Sequence, residues 1–221
     1  MAFLNENNDA KYNFYKDYQS QQVSIEIPKI EKDDLILLGS FYSLNPLTRP
    51  TVVRLLEEAK EQGAIVYYDP NFRANHQQDL IHLMPNMIEN FEAASIIRGS
   101  NEDFGYIFGL TEADKIYNEK LKYYGSPFIC TTAGGEVALR THTFSKNYPV
   151  PRIETVSTIG AGDNFNAGLV FGLLKNRIRK VDLDELTEAD WDKIVASGMS
   201  FSREVCASLD NYISKEFASS L

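Results

Sequence analysis

Apolar residues in this chain follow two spacings. Some form runs of four or five, while others recur every third or fourth position. Leu35-Ile-Leu-Leu38, Ala64-Ile-Val-Tyr-Tyr68, Ala94-Ser-Ile-Ile97 and Phe128-Ile-Cys-Thr131 are runs, the pattern of strands buried on both faces. Between them the spacing turns helical. Val52, Val53, Leu56 and Ala59 share a face over 50–62, with Pro50 near its start and Gly63 just past its end. Leu80, Leu83, Met84, Met87, Ile88 and Phe91 mark a second helix, and 102–108 a short third. A fourth is expected from Thr111 as N-cap, with Asp114 three residues on. Val137-Ala-Leu-Arg140 reads as a strand across a turn at Gly134-Gly135, and helices over 163–174 and 189–208 close the pattern. Strands alternating with helices predict the α/β class, a mostly parallel sheet flanked by helices and joined by right-handed crossovers. Ligands of such sheets sit beyond the carboxyl ends of the strands.

The front of the chain differs. Phe3, the polar cluster Asn5-Glu-Asn-Asn-Asp9, then Tyr12, Phe14, Tyr15 and Tyr18 fit a β-hairpin with the cluster as its turn. No repeat or low-complexity linker interrupts the 221 residues, so a single domain is expected, with the hairpin in 1–30 and the core in 31–221.

Charge narrows the partners. The formal balance is −9, and the longest basic cluster is Lys175-Asn-Arg-Ile-Arg-Lys180. Such a field repels polyphosphate backbones, so no nucleic-acid partner is expected. No apolar run approaches the ~18 residues of a membrane span. The first residues show neither a basic nor an apolar leader region, and the two cysteines, Cys130 and Cys206, read as thiols in a reducing compartment; a cytoplasmic location is expected.

The segment richest in chemistry is Ser157-Thr-Ile-Gly-Ala-Gly-Asp-Asn-Phe-Asn-Ala-Gly168. Gly160, Ala161 and Gly162 let a backbone approach a ligand, and the helical face Phe165, Leu169, Leu173 follows at once. Amides at a helix N-terminus suit a phosphate. A carboxylate there, Asp163, suits a base aimed at a hydroxyl beside that phosphate, as phosphoryl transfer requires. The alternative is a glycine-rich turn in which Asp163 only caps the helix.

This segment resembles the C-terminal signature of the PfkB (ribokinase-like) carbohydrate kinases, Asp-Thr-x-Gly-Ala-Gly-Asp-x-Phe. Other stretches fall in that family's order. Asp69-Pro-Asn-Phe-Arg73 resembles its Asp-x-Asn-x-Arg, Ser100-Asn-Glu-Asp103 its Asn-x-x-Glu, and Thr132-Ala-Gly134 its Thr-x-Gly. The hairpin and Gly39-Ser40 resemble the fructokinase-like branch. The resemblance implies a ribokinase-like fold with the hairpin as a remnant of the lid. It implies ATP-dependent phosphorylation of a sugar hydroxyl, with Asp163 as base and Gly160, Ala161 and Gly162 as anion hole. Thr132 and Gly134 would bind nucleotide, Asn71 and Arg73 phosphate or substrate, and Ser100 and Asp103 would organise Mg2+. Sugar and ATP are the implied small-molecule partners, and a homodimer through the hairpin is a further expectation.

There are departures. Ser157 replaces the first Asp of the signature, a position tied in the family to a monovalent cation, and Ser100 and Asp103 replace Asn and Glu. A full member also begins with a sugar-holding region of Gly-Gly and Asn, which this chain lacks, so a catalytically defective nucleotide-binding relative is the competing expectation. His76, His82 and His142 show no metal spacing and read as surface or capping residues.

Overall fold

The computed structural model describes residues 2–4, 10–12, 27–39, 41–132 and 135–221. They fall into two compact units, one of residues 21–150 and the other of 1–20 with 151–221.

In the first unit the apolar runs become strands that each end on a small or polar residue. These are β3 (Leu35–Gly39), β4 (Ile65–Asp69), β5 (Ile96–Ser100) and β6 (Phe128–Thr131). They pair in parallel in chain order, so Gly39, Asp69, Ser100 and Thr131 all close their strands at the same end of the sheet. Every residue of β4 is buried, as a continuous apolar run predicts. Two antiparallel strands complete the six, β7 (Glu136–Arg140) and β8 (Ser145–Pro149). β8 has no counterpart among the predicted elements. Its sequence, Ser-Lys-Asn-Tyr-Pro, has no apolar run to betray it, and Lys146 and Pro149 suit an outer strand that must not recruit another chain.

Helices of this unit carry the predicted faces. α1 (Arg49–Gln62) buries Val52, Leu56 and Ala59, and α2 (Leu80–Ala93) buries Leu83, Met87 and Phe91. Ile88 departs from the expected face and is 38% exposed. Two polar residues join the apolar ones: Arg49 donates to Asn90 Oδ1 at 2.7 Å and also pairs with Glu89, tying α1 to α2. α3 (Asn101–Phe108) is as predicted, but α4 (Ala113–Ile116) is not capped by Thr111. Its N-cap is Glu112, which makes no side-chain cap, and Asp114 reaches Arg140 Nε on β7 at 2.7 Å instead. His76, read from sequence as a surface residue, is 6% exposed and stacks on Phe41 with ring centroids 3.8 Å apart.

In the second unit, β1 (Ala2–Leu4) pairs antiparallel with β2 (Ala10–Tyr12), the hairpin arms expected; the turn at 5–9 lies outside the described residues. Among the described residues three α-helices follow, α5 (Ala161–Lys175), α6 (Glu188–Cys206) and α7 (Lys215–Ser219). α6 opens with a reciprocal cap between Thr187 and Asp190. α5 and α6 approach backbone to backbone: a β-carbon on Gly168 would lie 2.6 Å from the Ser197 carbonyl oxygen. Around that contact Leu169, Leu173, Trp191, Ile194 and Val195 are buried. Phe171, Phe201 and Phe217 then link α5, α6 and α7 through successive ring contacts.

Candidate active site

Parallel strands deliver their last residues to one place, and in the first unit that place is polar. Asp69 ends β4 and is paired with Arg98 of β5 through Nη1 to Oδ2 at 2.7 Å. The other guanidinium nitrogen, Nη2, donates to Thr131 Oγ1 on β6 at 2.8 Å. Both charged side chains are sealed from solvent, 8% exposed for Arg98 and 4% for Asp69. The charge of Asp69 helps hold Arg98 protonated well above its ordinary value despite the desolvation that opposes it. The second carboxylate oxygen of Asp69 is used as well, since Oδ1 accepts the Asn71 N–H at 3.0 Å. Asn71 takes φ 40°, in the left-handed region that Asn tolerates, and so turns the chain toward Arg73. Asn71 and Arg73 are both half-buried, and the Arg73 charge acts on the Tyr106 phenol of α3.

Ser100 and Asp103 are locked together. The Ser100 hydroxyl donates to Asp103 Oδ2 at 2.6 Å, the Ser100 N–H donates to the same oxygen at 2.7 Å, and the Asp103 N–H donates back to Ser100 Oγ at 3.1 Å. The pair is therefore a helix-capping box, and the Ser100 hydroxyl is committed to it. Asp103 is 3% exposed, and its Oδ1 is buried without a hydrogen-bond partner. Burial, with the Asp69 charge second, raises the Asp103 carboxyl above its ordinary value. Among the described residues no three His, Cys, Asp or Glu cluster as a metal site. A magnesium ion asks for less, one or two carboxylates with phosphates and waters, and an orphaned buried carboxylate oxygen fits that requirement.

Thr132 shapes the turn after β6. Its Oγ1 accepts the Glu136 N–H at 2.8 Å, and its N–H donates to the Glu136 carbonyl at 3.0 Å. Gly134 lies outside the described residues.

The second unit holds the glycine-rich turn. Gly160 is the N-cap of α5 at φ 78°, and an alanine there would be strained as well as pressed against Asn211 at 3.0–3.1 Å. Ala161, two residues before the predicted start of the helix at 163, and Gly162 are the first two helical residues and Asp163 is the third. The Ala161 N–H bonds to the Thr158 carbonyl at 3.2 Å. Gly162 and Asp163 follow it in the first turn, where amides have no partner inside the helix. Asp163 is exposed. Ser157 is buried at 3%, and its Oγ accepts the Ile159 N–H at 3.2 Å, so this hydroxyl folds the approach to the turn. Two asparagines that sequence reading missed hold the turn. Asn164 Nδ2 lies 3.0 Å from the Gly160 carbonyl and 2.9 Å from the Asn211 carbonyl, pinning the loop after α6 to the glycines. The spacing of Asn164 four residues after Gly160 was a readable signal for the first bond; nothing local announces Asn211.

Sequence comparison decides the family. The pfkB family carbohydrate kinase profile matches residues 1–209. This chain belongs to that family. Its curated relatives include the probable chloroplastic fructokinase-6 of Arabidopsis thaliana, 26% identical over 200 residues, covering 86% of this chain and 51% of that protein. The fructokinase of Klebsiella pneumoniae is 31% identical over 134 residues, covering 59% of this chain and 43% of that one. The pfkB chain thus spans about half the length of the curated relatives it matches. Among solved structures, fructokinase from Vibrio cholerae O395 in its fructose-, ADP- and calcium-bound form superposes with a TM-score of 0.72 at 18% identity, over 84% of this chain and 58% of that one. Aminoimidazole riboside kinase from Salmonella enterica gives 0.69 at 19% identity, over 84% and 60%. The fold is that of the ribokinase-like kinases, as the resemblance implied. No described helix is long and apolar enough to cross a membrane.

Proposed function

We propose that this pfkB-family chain carries the nucleotide and base machinery of an ATP-dependent sugar kinase of fructokinase type. The observation that carries this reading is the start of α5, where a left-handed Gly160 opens a helix whose third residue is the exposed Asp163. First-turn amides favour a phosphoryl group as its charge develops. Asp163 is a poor phosphate ligand by charge and a good acceptor for the proton of a sugar hydroxyl. Gly160, Ala161 and Gly162 form the anion hole; Thr132 and Gly134 bind the nucleotide, and Asn71 and Arg73 meet substrate or phosphate. Asp103 is the residue that would hold Mg2+, with Ser100 fixing it in place, and Ser157 stands at the monovalent-cation position. Magnesium, when bound, would neutralise the phosphates of ATP.

A second reading is favoured by one observation, the commitment of the Ser100 hydroxyl to its capping box with Asp103 rather than to a ligand. In it the chain binds nucleotide and turns over no sugar. Calorimetry with Mg-ATP and an ATP-consumption assay with fructose and related sugars, wild type beside Asp163→Asn, separate the two. The kinase reading expects equal nucleotide affinity and a rate lower by about 10²–10⁴-fold in the variant. Equal rates in both would remove Asp163 from the mechanism. Nucleotide binding without turnover in wild type would establish the second reading.

A further inference from the structure

Arg98 belongs to none of the motifs that mark the site, yet it touches the ends of both neighbouring strands. Asp69 on β4 and Thr131 on β6 flank β5 on either side, and two strand spacings separate them by ~9.5 Å. The Asp69 and Thr131 side chains reach in from either side, and a planar guanidinium meets both with a donor at each corner; the point charge of a lysine does not hold that geometry. Beyond each contact lies one loop of the candidate site. Through Oδ1, Asp69 holds the Asn71 N–H and so the bend that leads to Arg73. Thr131 precedes Thr132, whose hydroxyl closes the turn on Glu136. Arg98 has no solvent to retreat into, and Asp69 cannot be released without leaving a buried carboxylate beside Asp103. The two loops therefore share one rigid connection.

We propose that Arg98 is a positioning residue that couples the Asp69–Arg73 loop to the turn after β6, so that occupancy of one stiffens the other. What the loops bind rests on the kinase reading above; their coupling does not. Coupled ordering of this kind makes the second ligand cheaper to bind once the first is in place.

Thr131→Val is the sparing test, because it keeps the strand, the shape and the Arg98–Asp69 pair and removes one hydrogen bond. Amide hydrogen exchange of the whole chain reads the result. The Asn71 N–H, two strands away, should exchange at least about threefold faster, a share of the roughly tenfold weight of one hydrogen bond to a charged donor. Arg98→Lys should do the same, since it keeps the charge and loses the span. Mg-ATP at saturation should slow the Asn71 amide in wild type and leave it unslowed in Thr131→Val, a response that a merely structural role would not produce. Faster exchange confined to residues 131–136, or equal slowing by Mg-ATP in both proteins, would overturn the coupling. If wild type binds no Mg-ATP in calorimetry, the nucleotide reading fails, and the Thr131→Val exchange alone decides the coupling.

Discussion

The two units position their candidate residues by opposite means. In residues 21–150 the work is done by side chains: a buried ion pair, a threonine hydroxyl and a capping box fix Asp69, Asn71, Thr131 and Asp103. In residues 151–221 it is done largely by their absence, since Gly160 turns left-handed and Gly168 lets α5 meet α6 at backbone distance. Networks of charge are fixed by long-range partners and fail abruptly when one member goes, because the remaining charge stays buried. Close backbone packing fails by degrees, since helices can shift a few tenths of an ångström. The first unit is therefore fragile at single charged residues and the second at its helix contact.

The largest effect should follow from breaking the network. Arg98→Met leaves Asp69 buried without its counter-charge, and urea unfolding should show a loss of about 3–5 kcal/mol. The double variant Arg98→Met/Asp69→Leu should recover much of that loss, because no lone charge remains. If the single and double variants are equally unstable, the pair is not what holds these strand ends.

Overpacking the glycine contact should come next. Gly168→Ala places a methyl 2.6 Å from the Ser197 carbonyl and 2.8 Å from Gly198 Cα, both backbone atoms that cannot swing aside. Thermal unfolding followed by Trp191, the one tryptophan of the chain and buried in α6, should show a loss of about 1–3 kcal/mol. An unchanged transition would mean that the two helices part more easily than their contact suggests.

What the sequence disclosed divides along the same line. Glycine at 160 and 168 is visible in a string of letters because backbone geometry leaves few other residues there, and the start of α5 could be placed within two residues. Strands β4 to β6 were legible because burial on both faces demands unbroken apolar runs; β3 carries the same kind of run, yet Leu37 on it is 49% exposed, so the expected two-sided burial does not hold there. Arg98 was not legible. Its role depends on Asp69 and Thr131, each about thirty positions away, and only the parallel register brings them together. Asn211 stayed hidden for the same reason, forty-seven positions from the Asn164 that holds it. His76 looked like a surface histidine because the aromatic partner that buries it, Phe41, comes from the loop after a different strand. Thr111 was misplaced as a cap because local chemistry allowed it, and Asp114 found Arg140 instead.

A smaller effect tests whether α6 depends on local capping as well as on its glycine contact. Thr187 accepts the Asp190 N–H and donates its hydroxyl to Asp190 Oδ2 at 2.7 Å. Thr187→Ala should cost about 1 kcal/mol in the Trp191-monitored transition, with Thr187→Ser close to wild type. Equal loss in both would point to the methyl group rather than the cap.

The smallest effects are those of pH, and they differ in sign between the units. Asp190 is held below the ordinary carboxylate value by Thr187, through its hydroxyl first and its N–H second. Its contribution is therefore complete above the unfolded-state value, ~3.9, and is lost as pH falls through the lower folded-state value. Asp103 runs the other way. Burial, reinforced by Asp69, lifts its folded-state value above that of the unfolded chain, so the folded protein holds that proton longer. Its unfavourable contribution is absent below ~3.9 and grows as pH rises through the raised value. Asp190→Asn should accordingly be increasingly destabilising, relative to wild type, as pH rises from 2 to 6, whereas Asp103→Asn should become less destabilising or even stabilising over the upper part of that range. Urea unfolding of each variant beside wild type at several pH values measures both slopes. Slopes of the same sign would show that the Ser100 bonds to Asp103, not its burial beside Asp69, govern when that carboxyl loses its proton.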